Sequence, residues 1–151
     1  MMIPLPDPMR MALDMAQQAA DADEVPVGAV IMRGNTVIAT AANAMRSKMD
    51  PTAHAEMDVI RAAARALGNE RLDGCDLWVT LEPCAMCAGA IAHARIARLY
   101  FGAADPKGGG VDHGARVFAQ DTCHHRPEIY AGFGEQEASA QLRRFFVERR
   151  A

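Results

Sequence analysis

The sequence predicts an α/β domain with helices packed on a mixed sheet. Two patterns carry that reading. Between Val25 and Thr40 an apolar run, a Gly34-Asn35 turn and a returning β-branched run make an antiparallel hairpin. From Asp76 onward strand-like and helix-like segments alternate, as they do where helices cover a sheet. With 151 residues, 50% of them hydrophobic, the chain is long enough to bury one core and is expected to form one domain over residues 1–151.

The elements follow in order. Asp7 before Pro8 sets a capping carboxylate ahead of a proline suited to a first helical turn, and Met9 to Ala20 continues as helix. Val25 to Met32 is short and almost wholly apolar, the pattern of a buried strand, and Thr36 to Thr40 is its hairpin partner. Asn43 to Pro51 is polar loop. Thr52 is placed to cap a long helix whose first turn holds His54 and Glu56, and which stops at Gly68. Asp76 to Leu81 is a third strand. Pro83 opens a helix from Cys84 to about Arg95, with a small-residue face of Ala85, Ala88, Gly89 and Ala92. Arg98 to Gly102 is a fourth strand, and Ala103 to His113, with Pro106 and three consecutive glycines, is loop. Pro127 to Phe133 offers a fifth strand, and Glu135 to Arg150 is a final helix. There is no internal repeat and no linker.

Composition narrows the setting. No apolar run approaches the length of a membrane span. The opening residues lack a basic region followed by an apolar core, so no signal peptide is expected. Four cysteines suit a reducing compartment better than a disulfide framework, and the cytoplasm is the expected location. A net charge of -3 gives no general attraction to nucleic acid, yet residues 143–150 carry four arginines against one glutamate. Taken alone, that segment reads as a solvated helix face with two core phenylalanines.

The chemistry concentrates in His54-Ala55-Glu56 and Pro83-Cys84-Ala85-Met86-Cys87. One histidine and two cysteines suit zinc, fill three tetrahedral positions and leave the fourth for water. Cys84 and Cys87, three apart at a helix start, project to one side where the positive end of the helix dipole favours thiolate. Glu56 is poorly spaced to bind the same ion as His54 but well placed to move protons on the water. A closed structural site would want a fourth protein ligand, and Cys75 and Cys123 stand alone. A redox dithiol would leave His-Ala-Glu without a role. The H-x-E and P-C-x-x-C pair is the known pattern of zinc-dependent nucleobase deaminases, and the chain matches it at both halves.

At these residues the chain resembles the cytidine deaminase superfamily, and more narrowly the bacterial tRNA-specific adenosine deaminases. The narrower likeness rests on Glu24 to Val30, Asp50 to Glu56, Val79 to Ile91, Phe101 to Lys107, Cys123 to Arg126 and the closing Phe145-Phe146 with its arginines. It spans about Arg10 to Arg150. One departure is the plain Ala103-Ala104, where the family often carries a basic residue.

The resemblance implies a three-layer fold with a five-stranded mixed sheet, a homodimer, and one zinc ion per subunit. The implied reaction is hydrolysis of the wobble adenosine to inosine in an arginine tRNA with an ACG anticodon, bound by its anticodon stem-loop. It implies zinc ligation by His54, Cys84 and Cys87 and proton transfer by Glu56. It further implies that Asn43 and the Ala55 N–H hydrogen-bond the flipped-out nucleoside and that Val27 packs on its ring. Asp105 and Lys107 would contact the anticodon backbone, with Phe145 and Phe146 near the flanking bases. Two other functions compete. One is a free-base or nucleoside deaminase for guanine or cytosine, with the same zinc chemistry in a closed pocket. The other is a non-catalytic zinc module that presents RNA.

Overall fold

In the computed structural model the sheet runs in the order β2-β1-β3-β4-β5, from β1 (Gly28–Arg33), β2 (Thr36–Ala42), β3 (Cys75–Leu81), β4 (Arg98–Ala103) and β5 (Glu128–Ala131). β1 is antiparallel to both β2 and β3, whereas β3, β4 and β5 are parallel, so the sheet is mixed as predicted. Four helices flank it: α1 (Asp7–Asp21), α2 (Ala55–Leu67), α3 (Ala85–Ala94) and α4 (Glu135–Arg150). The structure describes residues 5–150 and, of Arg150, only the backbone. Residues 1–4, on which part of the leader expectation rests, and the Arg150 side chain of the arginine cluster lie outside the described residues. No helix among the described residues is long and apolar enough to cross a membrane.

Strand alternation sorts the core into two layers. Ala29 and Ile31 of β1 with Leu77 and Val79 of β3 join Val59 and Ala63 of α2 and Ala88 and Ile91 of α3 on one face. Val30, Met32 and Trp78 point the other way, onto Met9, Ala12 and Leu13 of α1 and Ala138 of α4. Trp78 stacks on Tyr100 with ring centroids 3.8 Å apart, and the two are register partners across β3 and β4.

Several boundaries differ from the sequence expectation. α1 takes Pro6 as its N-cap and has no side-chain capping bond, so Asp7 lies inside the first turn and does not precede it. The strand expected from Val25 begins only at Gly28, because the Val27 N–H turns back to the Val25 carbonyl and the Val27 carbonyl accepts from Asn43. Thr52 does not cap α2: its N–H and hydroxyl both donate to Asp50 Oδ1, at 2.8 and 2.7 Å. That leaves His54 as the N-cap residue in extended conformation, with its side chain free of any capping bond. Cys84 is likewise the N-cap of α3 and stands just outside its first turn. α2 ends as expected at Gly68, whose left-handed φ of 64° a glycine adopts without strain.

Candidate active site

β3 is parallel to β4, so the chain leaving its carboxyl end passes Glu82 and Pro83 and enters α3 over the crevice where open α/β sheets hold ligands. α2 starts on the same face of the sheet. The two N-cap residues, His54 and Cys84, therefore meet, and Cys87 joins them from the first turn of α3. His54 Nδ1 stands 3.6 Å from Cys84 Sγ and 3.5 Å from Cys87 Sγ. One donor atom from each residue lies within 4.8 Å of the others, a set able to hold a metal ion.

The local electrostatics fit that use. The Cys87 thiol and His54 draw Cys84 down to about 4 against the cost of its burial, while Cys84 and burial push Cys87 up. The Cys84 sulfur also raises His54. Glu56 is 4% exposed, and burial pushes its carboxyl up to about 7, near the value that suits an acid–base group at neutral pH.

A small cavity of about 170 Å³ opens here, lined by Val27, Asn43, His54, Glu56, Cys84 and Asp105, with Met45 and Glu82 among the rest of its wall. Six of the residues singled out from the sequence thus face one space, with Cys87 buried beside it. Ala55 is fully buried at the start of α2. Lys107 and Phe146 line an adjoining groove of about 500 Å³ that shares Val25, Leu81 and Asp105 with the cavity. Phe145 reaches neither space. It is 6% exposed and covered by the Arg149 guanidinium, with the Phe146 ring packed edge-on against it at 5.3 Å between centroids. Clefts of about 400 Å³ beside α3 and 590 Å³ beside α2 are larger, but neither contains the metal-ligand set.

Two buried carboxylates beside the site escaped the sequence reading. Glu24, 3% exposed, accepts the N–H groups of Arg46 and Ser47 at 3.0 and 2.7 Å, which ties down the loop carrying Asn43 and Met45. Glu82, 2% exposed, accepts from the loop carrying Asp105 and Lys107. The sequence sets neither apart: Glu24 closes the acidic stretch Asp21-Ala22-Asp23-Glu24, and Glu82 follows the apolar strand β3. The Cys123 to Arg126 block has a structural use: His125 Nε2 donates to the Ile96 carbonyl at 2.7 Å, and the Arg126 guanidinium donates to the Phe118 and Gln120 carbonyls. Arg149 also differs from expectation. Its guanidinium pairs with Asp23, beyond the end of α1, whereas Arg143 and Arg144 remain exposed.

Comparison with known proteins agrees with this geometry. The family model of MafB19-like deaminases matches residues 6–148. The tRNA-specific adenosine deaminase of Agrobacterium fabrum is 56% identical over 142 residues, covering 94% of this chain and 93% of that protein. A solved structure from work on A-to-I editing by tRNA:A34 deaminases at the wobble position is 56% identical, with a TM-score of 0.88 over 89% of this chain and 98% of that one. The Bacillus subtilis guanine deaminase structure is more distant, 29% identical with a TM-score of 0.65 over 95% and 92% of the two chains. The chain belongs to the MafB19-like deaminase family and, within it, to the tRNA-specific adenosine deaminases.

Proposed function

We propose that this chain hydrolyses the wobble adenosine of a tRNA to inosine, with zinc held by His54, Cys84 and Cys87 and with Glu56 moving protons. The arginine tRNA with an ACG anticodon is the expected substrate. The setting is the cytoplasm, and the working form is a homodimer of single-domain subunits. The observation that carries the RNA reading is the continuity of the catalytic cavity with the Lys107–Phe146 groove. A free-base deaminase needs a closed pocket; this one opens onto a surface able to hold neighbouring nucleotides.

The donor set supports zinc. Bonds of about 2.0–2.1 Å to nitrogen and about 2.3 Å to sulfur put tetrahedral ligand atoms about 3.6 Å apart, and the nitrogen–sulfur separations here are 3.5 and 3.6 Å. When bound, the ion supplies the Lewis acidity that makes water a nucleophile near neutral pH. Water oxygen bonds to C6 of the adenine, and the amine leaves as ammonia. Glu56 takes a proton from the attacking water and delivers protons to the ring nitrogen N1 and the departing amine. Ala55 opens α2, so its N–H is one of those with no partner inside the helix and serves the base. Asn43 holds the nucleoside, and Val27 packs on its ring.

The deciding experiment incubates zinc-loaded protein with an ACG anticodon stem-loop, and separately with guanine, cytosine and adenosine, with Glu56→Ala as the blank. Inosine in the stem-loop alone, absent from the blank, is expected. Turnover of a free base with none in the stem-loop would keep the chemistry and overturn the RNA substrate.

A further inference from the structure

Glu82 is a buried acid that the proton chemistry does not use. Its two oxygens take five hydrogen bonds from one loop. Oε1 accepts the Asp105 N–H at 3.0 Å and His113 Nδ1 at 2.8 Å. Oε2 accepts the N–H groups of Val111, Asp112 and His113 at 3.2, 3.0 and 3.2 Å. Three successive amides on one oxygen form an anion-binding nest. A carboxylate only accepts, so the imidazole carries its proton on Nδ1. The fit is close: a Cβ added to Gly109 would fall 2.4 Å from Glu82 Oε2. The Gly110 N–H donates to the Pro83 carbonyl at 2.8 Å, which pins the loop to the turn that presents Cys84.

Side-chain packing does not hold this loop. Between Ala104 and His113 only Val111 buries an apolar side chain. The loop nevertheless carries Asp105, shared by the cavity and the groove, and Lys107 of the groove. The Asp105 carboxylate is spent in turn on the Lys107 and Gly108 amides, at 3.3 and 2.9 Å, so the order of the first half of the loop follows from that of the second.

The geometry points to Glu82 as a positioning residue for RNA: it fixes loop 104–113 so that Asp105 and Lys107 form a preset wall of the groove, with His113 as the outer arm of the grip. The inference rests on the proposed tRNA substrate. A loop ordered before binding spares the RNA the cost of ordering it, so the grip acts on substrate affinity and leaves the chemical step alone.

The test uses the zinc-loaded full chain and its variants His113→Ala, His113→Asn and Glu82→Gln. His113 is partly exposed at the rim of the grip, so its replacement spares the core. His113→Ala is expected to raise KM for the ACG stem-loop about tenfold, the size of one hydrogen bond to a charged group, with kcat and zinc content unchanged. His113→Asn, whose amide nitrogen can stand near the position of Nδ1, restores most of the affinity. Glu82→Gln shifts KM in the same direction and further. Hydrogen exchange at the Asp105, Val111 and Asp112 amides is expected to quicken about tenfold in His113→Ala, with β3 and α3 unaffected. An unchanged KM, a kcat that falls with it, a failed rescue by asparagine or a loss of zinc would each overturn the assignment. Wild-type protein inactive on the stem-loop would instead defeat the tRNA reading itself.

Discussion

The guanidinium carbon of Arg149 stands 3.6 Å from the centroid of the Phe145 ring, and the same group pairs with Asp23 beyond the end of α1. The guanidinium thus covers a ring one turn back on its own helix and ties the last turn of α4 to the end of α1 through Asp23 and the Ala20 carbonyl. At 32% side-chain exposure for Arg149, the ring contact contributes about 0.5–1 kcal/mol and the ion pair at most about 1. Arg149→Ala is expected to lower the melting temperature by about 2–4 °C, as a loss near 1 kcal/mol does at this chain length. Arg149→Lys should recover little, since an ammonium lacks the planar stack. The fluorescence of Trp78, the one tryptophan of the chain, follows the transition. An unchanged melt would mean that α4 docks without help from this guanidinium.

Arg143 and Arg144 are the exposed pair on the same helix. Replacing either by alanine is expected to leave stability within about 0.5 kcal/mol. Stem-loop binding should weaken, and the slope of log affinity against log salt should fall by about 0.7 for each phosphate that the variant no longer neutralises. Equal salt slopes in wild type and variants would remove these arginines from the RNA surface.

Phe145 and Phe146 show where reading a sequence stops. Neighbours on a helix point about 100° apart, and only packing against the rest of the fold decides which ring is buried. Period and turn signals delimit α4 correctly as Glu135–Arg150, and the match to the H-x-E and P-C-x-x-C pattern groups His54, Cys84 and Cys87 as one ligand set. The two helix starts at that set each lie a residue or more from the expected place. His54 and Cys84 are N-caps, a role that local propensity assigns to Ser, Thr, Asp or Asn. Glu82 is invisible in the sequence because its partners lie 23 to 31 residues away, in a loop that has no pattern of its own.

Glu24 and Glu82 should make the fold acid-sensitive. Burial alone would raise both carboxyls. The Arg46 and Ser47 amides around Glu24, and the Asp105 amide, His113 and the Asp112 and Val111 amides around Glu82, outweigh it and hold both below the usual range. The folded state thus binds these protons less readily than the unfolded chain. Their contribution is present in full above the unfolded value of about 4.3 and is lost as pH falls through the lowered folded values. Glu24→Gln and Glu82→Gln should each cost about 1–3 kcal/mol at pH 7, the penalty for mismatched buried hydrogen bonds. Each should also flatten the fall in stability below pH 5. Urea titrations from pH 3 to 7 measure both, and an acid slope equal to wild type would remove the carboxylate from this role.

Glu56 and the three ligands should separate in metal analysis. His54→Ala, Cys84→Ala and Cys87→Ala each remove one of three donors, and each is expected to lose zinc on dialysis against a chelator and lose deamination with it. Glu56→Gln keeps all three donors within the 4.8 Å set. It is therefore expected to retain about one zinc per subunit while the rate falls at least about 10²–10⁴-fold, the range that positioned acid–base groups supply. The amide keeps the volume of the buried carboxyl but cannot carry the proton. Zinc lost as readily from Glu56→Gln as from the ligand variants would make Glu56 a metal ligand. Zinc retained at an undiminished rate would leave proton transfer to another group.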